Sequence, residues 1–176
     1  MKTTMILATL FGCSLAAPSN MRWAKRQTGP PQDQVVAAIN SWNSDVAMVN
    51  NFLNTPPTTG IDYANFASFT LGFANDEPNE LMTLASIPAL STDATNAIQD
   101  LKAVFGQVLT NLQNIINNQN DLTIINQDIA NLNQVRCSNV LPDLDVLWTA
   151  AADAEGVSNL VNLVVPRENA CATITC

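Results

Sequence analysis

The stretch ATNAIQDLKAVFGQVLTNLQNI, residues 94–115, decides the fold. Its apolar residues Ala94, Ile98, Leu101, Phe105, Val108, Leu112 and Ile115 recur at steps of 4, 3, 4, 3, 4 and 3. A helix with roughly 3.6 residues per turn brings all of them onto one side, whereas a strand would scatter them over both faces. Ser91, Thr92 and Asp93 stand just ahead, where side-chain oxygens can accept from the first unpaired amides of a helix. The spacing predicts one long amphipathic helix whose apolar stripe needs a partner surface.

Partner surfaces lie on either side. Upstream, Val35, Ile39, Trp42, Val46, Val49 and Leu53 fall at steps of 4, 3, 4, 3 and 4 between Pro30-Pro31 and Pro56-Pro57. Proline suits a first helical turn and stops a helix from beyond its end, so these pairs bracket a second long helix. Downstream, Leu122, Ile125, Ile129 and Leu132 continue at steps of 3, 4 and 3 after an Asn-rich break, predicting a helix that ends near Cys137. Leu144, Leu147 or Trp148, and Ala151 predict another after Pro142, continuing past Gly156 toward Leu160 and Leu163. Between the two long helices, residues 62–75 and 78–86 read as shorter ones. Strand signals are nearly absent and connections are short. The expected fold is all-α, an antiparallel bundle of four longer helices with one or two short ones.

The first 26 residues read differently. Met1 and Lys2 make a minimal positive start, and the uncharged run from Met5 to Ala17 has the length of a signal-peptide core. It is shorter than the roughly 20 residues that cross a bilayer. Cleavage after Ala16 would place Ser14 and Ala16 at the small-residue positions a signal peptidase reads. Residues 17–26 then form a basic pro-segment ending in Lys25-Arg26, a pair that resembles the dibasic site of kexin-type processing proteases in fungi. Removing both segments leaves residues 27–176, 176 less 26 or 150 residues, a length that suits one domain. No second apolar run is long enough to anchor this product, and the polar tail 167–176 lacks a lipid-anchor signal, so release outside the cell is expected.

Processing also shifts the charge. Lys2, Arg22, Lys25 and Arg26 leave with the precursor while all acids stay, so three bases face 15 acids and the net charge is 3 − 15, or −12. Phosphate backbones and anionic headgroups are held by clustered Lys and Arg, so no nucleic-acid or acidic-membrane partner is expected. Cys13 falls inside the signal peptide, leaving Cys137, Cys171 and Cys176 for an oxidising compartment. The expected bridge joins Cys137 to Cys171 and tethers the tail, with Cys176 as a free or intermolecular thiol; Cys171 with Cys176 is the competing pair.

Catalytic chemistry finds few carriers. The chain has no histidine, which removes Ser-His and Cys-His nucleophile pairs and the commonest zinc sites. Three cysteines cannot supply a four-thiolate zinc site, no Gly-rich phosphate loop occurs, and no loop has the alternating oxygen ligands of a calcium site, so neither metal nor cofactor is expected. A carboxylate-only hydrolase of polysaccharide remains as the catalytic alternative, with Asp76, Glu77 and Glu80 as its densest acids and Asp143 and Asp145 next. The same acids stand ahead of Pro78 and around Pro142, where they would favour helix starts.

Two further patterns admit a binding role. Tyr63, Phe66, Phe69 and Phe73, with Leu81 and Met82 beyond, form a thick apolar face that is either core or the lining of an apolar ligand site. Nine asparagines between Asn111 and Asn139 lie mostly on the polar side of the apolar stripes, as a wet face or as an uncharged hydrogen-bonding face for sugars. No Asn-x-Ser/Thr acceptor occurs in residues 27–176.

With a signal peptide, a Lys-Arg processing site, small size, acidity and a helical pattern, the chain resembles in general character fungal small secreted proteins of the effector type. It is similar in the same way to hydrophobic-surface-binding and cell-wall mannoprotein helical bundles. The resemblance implies a non-catalytic binding protein acting outside the cell on a host protein, a cell-wall component, or an apolar ligand or surface. It assigns no functional residue.

Overall fold

The computed structural model describes residues 29–174. The expectations for Ala16, Lys25, Arg26 and Cys176 lie outside them. Five α-helices follow in chain order: α1 (Gln32–Asn54), α2 (Gly60–Ala85), α3 (Thr92–Asn117), α4 (Leu122–Val135) and α5 (Leu141–Glu155). A π turn, Arg136–Val140, joins α4 to α5, and a short 3₁₀ turn, Asn169–Ala172, lies near the end. No strand occurs among the described residues. α1 packs on α2, α2 on α3, α3 on both α4 and α5, and α5 returns to α1. The chain is an all-α bundle in which α4, the π turn and α5 together make the fourth member.

The stripes predicted for residues 35–53 and 94–115 are the packing faces. Val35, Ile39, Trp42, Val46 and Val49 of α1 and Leu101, Val108, Leu112 and Ile115 of α3 are inaccessible to solvent. Each such side chain contributes about 1.5–3 kcal/mol by leaving water. Trp42 stands at the centre, its ring 5.9 Å from Phe105 of α3 and 6.2 Å from Trp148 of α5. Ser91 caps α3 by accepting from the Ala94 amide, as its position in the sequence suggests.

Three expectations are corrected by packing. First, the short helices at 62–75 and 78–86 are one helix, α2, with Pro78 inside it. Proline costs about 3 kcal/mol in a helix interior. The buried row Thr70, Ala74, Glu77, Leu81 and Leu84 spans Pro78 and offsets that cost, because breaking the helix would lift half the row off the core. Second, the helix expected to end near Cys137 runs on into α5 through the π turn, in which the Leu141 amide bonds to the Arg136 carbonyl. A π turn widens the helix by one residue. That extra residue lets Val135, Arg136, Cys137, Val140 and Leu141 all face inward, and it relieves the ring of Pro142 where an α turn would crowd it. Third, the helix does not continue past Gly156. This residue takes the left-handed conformation at φ 68°, and the amides of Gly156 and Val157 bond back to Asp153 and Ala152. That double closure is a Schellman stop, open to glycine at no steric cost. Beyond it the chain makes a turn at 158–160 and then runs on without regular structure to the 3₁₀ turn, with Val157 and Val165 pinned into the core and Leu160 exposed.

Cys137 and Cys171 form the disulfide, their Cα atoms 5.1 Å apart across 34 positions of sequence. It fastens the tail to the π turn. No helix among the described residues is long and apolar enough to cross a membrane.

Candidate functional site

The Asn-rich segment spans the end of α3 and most of α4, and the seam between these helices opens into a groove of about 470 Å³. Gly106, Gln107, Thr110 and Asn111 line it from α3; Asn131, Gln134, Val135 and Asn139 line it from α4 and the π turn. The four α3 residues are neighbours on one helical shoulder, set off from the buried row of Leu101, Phe105, Val108 and Leu112. Asn139 joins Asn131 because the wide π turn rotates it back toward the row that an α turn would carry past.

Six of its lining side chains are polar and none is charged, and several are held in place. The Thr110 hydroxyl donates to the Gly106 carbonyl at 2.7 Å and the Asn111 amide to the Gln107 carbonyl at 2.8 Å. Opposite them, the Gln134 amide donates to the Ser138 hydroxyl at 2.7 Å, and Asn131 accepts from the Gln127 amide at 3.1 Å. Each bond uses part of an amide and leaves a carbonyl oxygen, an N–H or both for something else. Side chains already tethered to their own helices lose little further freedom on binding. Gly106 matters for shape: a Cβ built there meets no atom within 4 Å, so the groove floor is open above it. A groove lined by uncharged amides offers donors and acceptors side by side, the pattern that a hydroxyl, itself donor and acceptor, can match.

No protein family, curated protein or solved structure matches this chain.

A second polar feature lies inside the bundle. Glu77, fully buried on α2, accepts a 2.9 Å hydrogen bond from the Trp42 indole across to α1. Burial pushes its carboxyl up to about 7; the Arg136 charge and the Trp42 bond pull the other way, and Asp45 and Glu80 add to the rise. Arg136, also fully buried, donates to the Asn50 side chain at 2.7 Å, and its Nε lies 3.4 Å from Glu168 of the tail. Glu168 thus neutralises Arg136, which leaves Glu77 without a dedicated counterion. Asp45 is raised to about 6 by burial and then by Glu80 and Asp76, and Glu80 is raised by burial.

The expectation that Asp76 and Glu77 favour a helix start is overturned by this arrangement. Both are mid-helix, Asp76 facing solvent and Glu77 the core. Asp143 and Asp145 also sit in a continuous helical run with no free amide end to interact with; burial and the neighbouring Asp100 raise Asp143 to about 6. The aromatic set divides. Tyr63 and Phe66 pack edge-on against Phe52 of α1, with ring centroids 6.5 and 5.3 Å away. Phe69 and Phe73 pair with each other at the surface at 5.1 Å, Phe69 being 56 % exposed, and Met82 is 68 % exposed. The first two pack against the core, whereas Phe69 and Met82 face solvent.

Cys137, Cys171 and Glu168 bring three ligand-type atoms within 4.8 Å of one another. The two sulfurs are bonded to each other, so neither is a thiolate available to a metal. Sequence reading missed Arg136, Asn50 and Glu168 as partners. The available signal was a basic residue at the position following Leu132 by four on an apolar row.

Proposed function

We propose that this chain is exported, from a fungal cell, and acts outside it as a non-catalytic binding protein for a neutral polysaccharide of the cell wall. The observation that carries the reading is the uncharged, amide-lined α3–α4 groove. The −12 charge expected after processing disfavours polyanionic ligands everywhere else on the surface, and the disulfide suits an oxidising compartment. The export reading rests on the sequence of the first 26 residues.

Gly106→Phe tests it. The new side chain enters open space, and replacing glycine within a helix does not cost helix propensity, so the fold should be retained while the groove is filled. Co-sedimentation of the purified protein with insoluble β-glucan, chitin and mannan should show retention on one of them, lost in Gly106→Phe and weakened in Asn131→Ala. Retention on none, or retention that ignores both substitutions, refutes the reading.

The alternative, a carboxylate-only hydrolase, draws on the raised carboxyls of Asp45 and Glu80 near the α1–α2 seam. Glu77 cannot serve it directly, being sealed in the core. Release of reducing sugar that is abolished by Glu80→Gln would favour this alternative; blank activity panels would leave it without support.

A further inference from the structure

The opposite flank of α3, where α5 packs against it, carries a groove of different chemistry. It occupies about 540 Å³ between the α2–α3 connection and α5. Leu90, Val146 and Ala150 give it an apolar floor, with Val146 40 % exposed, while Asp93, Asp145 and Asp153 stand in its lining. Asp93 and Asp153 are exposed. Asp100 and Asp143 extend the acidic character along the same pair of helices, close enough that the charge of Asp100 helps to raise Asp143.

One contact indicates what such a groove accepts. Asp145 already holds the guanidinium of Arg167, delivered by the tail, so the rim engages a cationic side chain within the protein itself. A purely apolar ligand would strip water from the carboxylates without pairing them, and an anionic surface would be repelled. We infer that the α3–α5 groove docks a cationic amphipathic peptide segment, its apolar side chains on Leu90, Val146 and Ala150 and its Lys or Arg on Asp93 and Asp153. Bases on Asp145 compete with Arg167. A peptide of this kind supplies both halves of the chemistry at helical spacing, and the net negative charge speeds its approach.

The test uses fluorescence anisotropy with the purified full chain and two labelled peptides, an amphipathic Leu/Lys helix and its Leu/Glu counterpart. Only the Leu/Lys peptide should bind, and less tightly as salt is raised. Asp93→Asn with Asp153→Asn should weaken binding by about five-fold, the scale of two exposed ion pairs. Val146→Lys should abolish it. Asp33→Asn with Asp76→Asn makes the same change in net charge on α1 and α2 and should leave affinity unchanged. Equal weakening by both double variants would show diffuse charge attraction and overturn the inference. Binding that survives Val146→Lys, or no binding at all, would overturn it too. Because the α3–α4 groove is not involved, Gly106→Phe should bind the peptide as the unsubstituted chain does.

Discussion

Replacing Glu77 by glutamine should make this protein more stable at neutral pH, and the gain should vanish in acid. Glu77 is sealed from solvent, and its carboxyl rises from 4.5 to about 7, first because burial penalises the charged form. The native state therefore holds a proton that the unfolded chain gives up between those two values. Stability conferred by the neutral carboxyl is fully present below pH 4.5, falls as the pH rises through that window, and is lost above 7. A shift of this size corresponds to about 3 kcal/mol at 1.36 kcal/mol per unit. Glutamine has the shape of the protonated acid, can still accept from the Trp42 indole, and does not titrate. Urea denaturation at pH 4 and pH 8 should show the Gln variant equal to the parent in acid and about 2–3 kcal/mol more stable at pH 8. The raised carboxyls of Asp45 and Asp143 tilt the parent in the same direction, so the parent itself should be more stable at pH 4.5 than at pH 8. A parent whose stability climbs from pH 4.5 to pH 8, or a variant with the same pH dependence as the parent, would refute the burial argument.

Three other perturbations probe the tail and the π turn. Replacing Cys137 and Cys171 together by alanine opens a loop of 34 positions and should lower stability by about 3–4 kcal/mol, read as a drop in urea midpoint that added reductant does not deepen. Arg136→Met leaves Glu168 buried without its cation and should cost about 3–5 kcal/mol; adding Glu168→Gln should recover much of this loss in a double-mutant cycle, whereas additive losses would show that the pair is not coupled. Gly156→Val forces a branched side chain to φ 68° and should cost about 1–2 kcal/mol by thermal unfolding, with no change in helix content at low temperature.

Much of the bundle was legible because helix stripes are local. The rows beginning at Val35 and Ala94 fixed their own faces, and Ser91 marked where α3 starts. The Cys137–Cys171 bridge was the expected pairing, with Cys171–Cys176 as its competitor, because a tail poor in apolar residues needs a tether. Pro78 misled because propensity alone treats proline as a break, while the buried row on both sides of it holds α2 together. Glu77 misled for a related reason: a carboxylate beside a proline reads as a cap until the indole of Trp42, 35 positions away in sequence, is seen to donate a hydrogen bond to it. Of the candidate site, the asparagines were visible as a class. Which of them face one another across α3 and α4 was not.

The sequence by itself determined the helical class, the apolar faces and the acidity, because periodicity and charge belong to residues near one another in the chain. The tertiary structure decided the continuity of α2, the π turn that brings Asn139 into the groove, the division of the aromatic set, and the burial of Glu77 and Arg136. These depend on packing between segments tens of residues apart, where a few kcal/mol of buried area overrides the preference of any single residue.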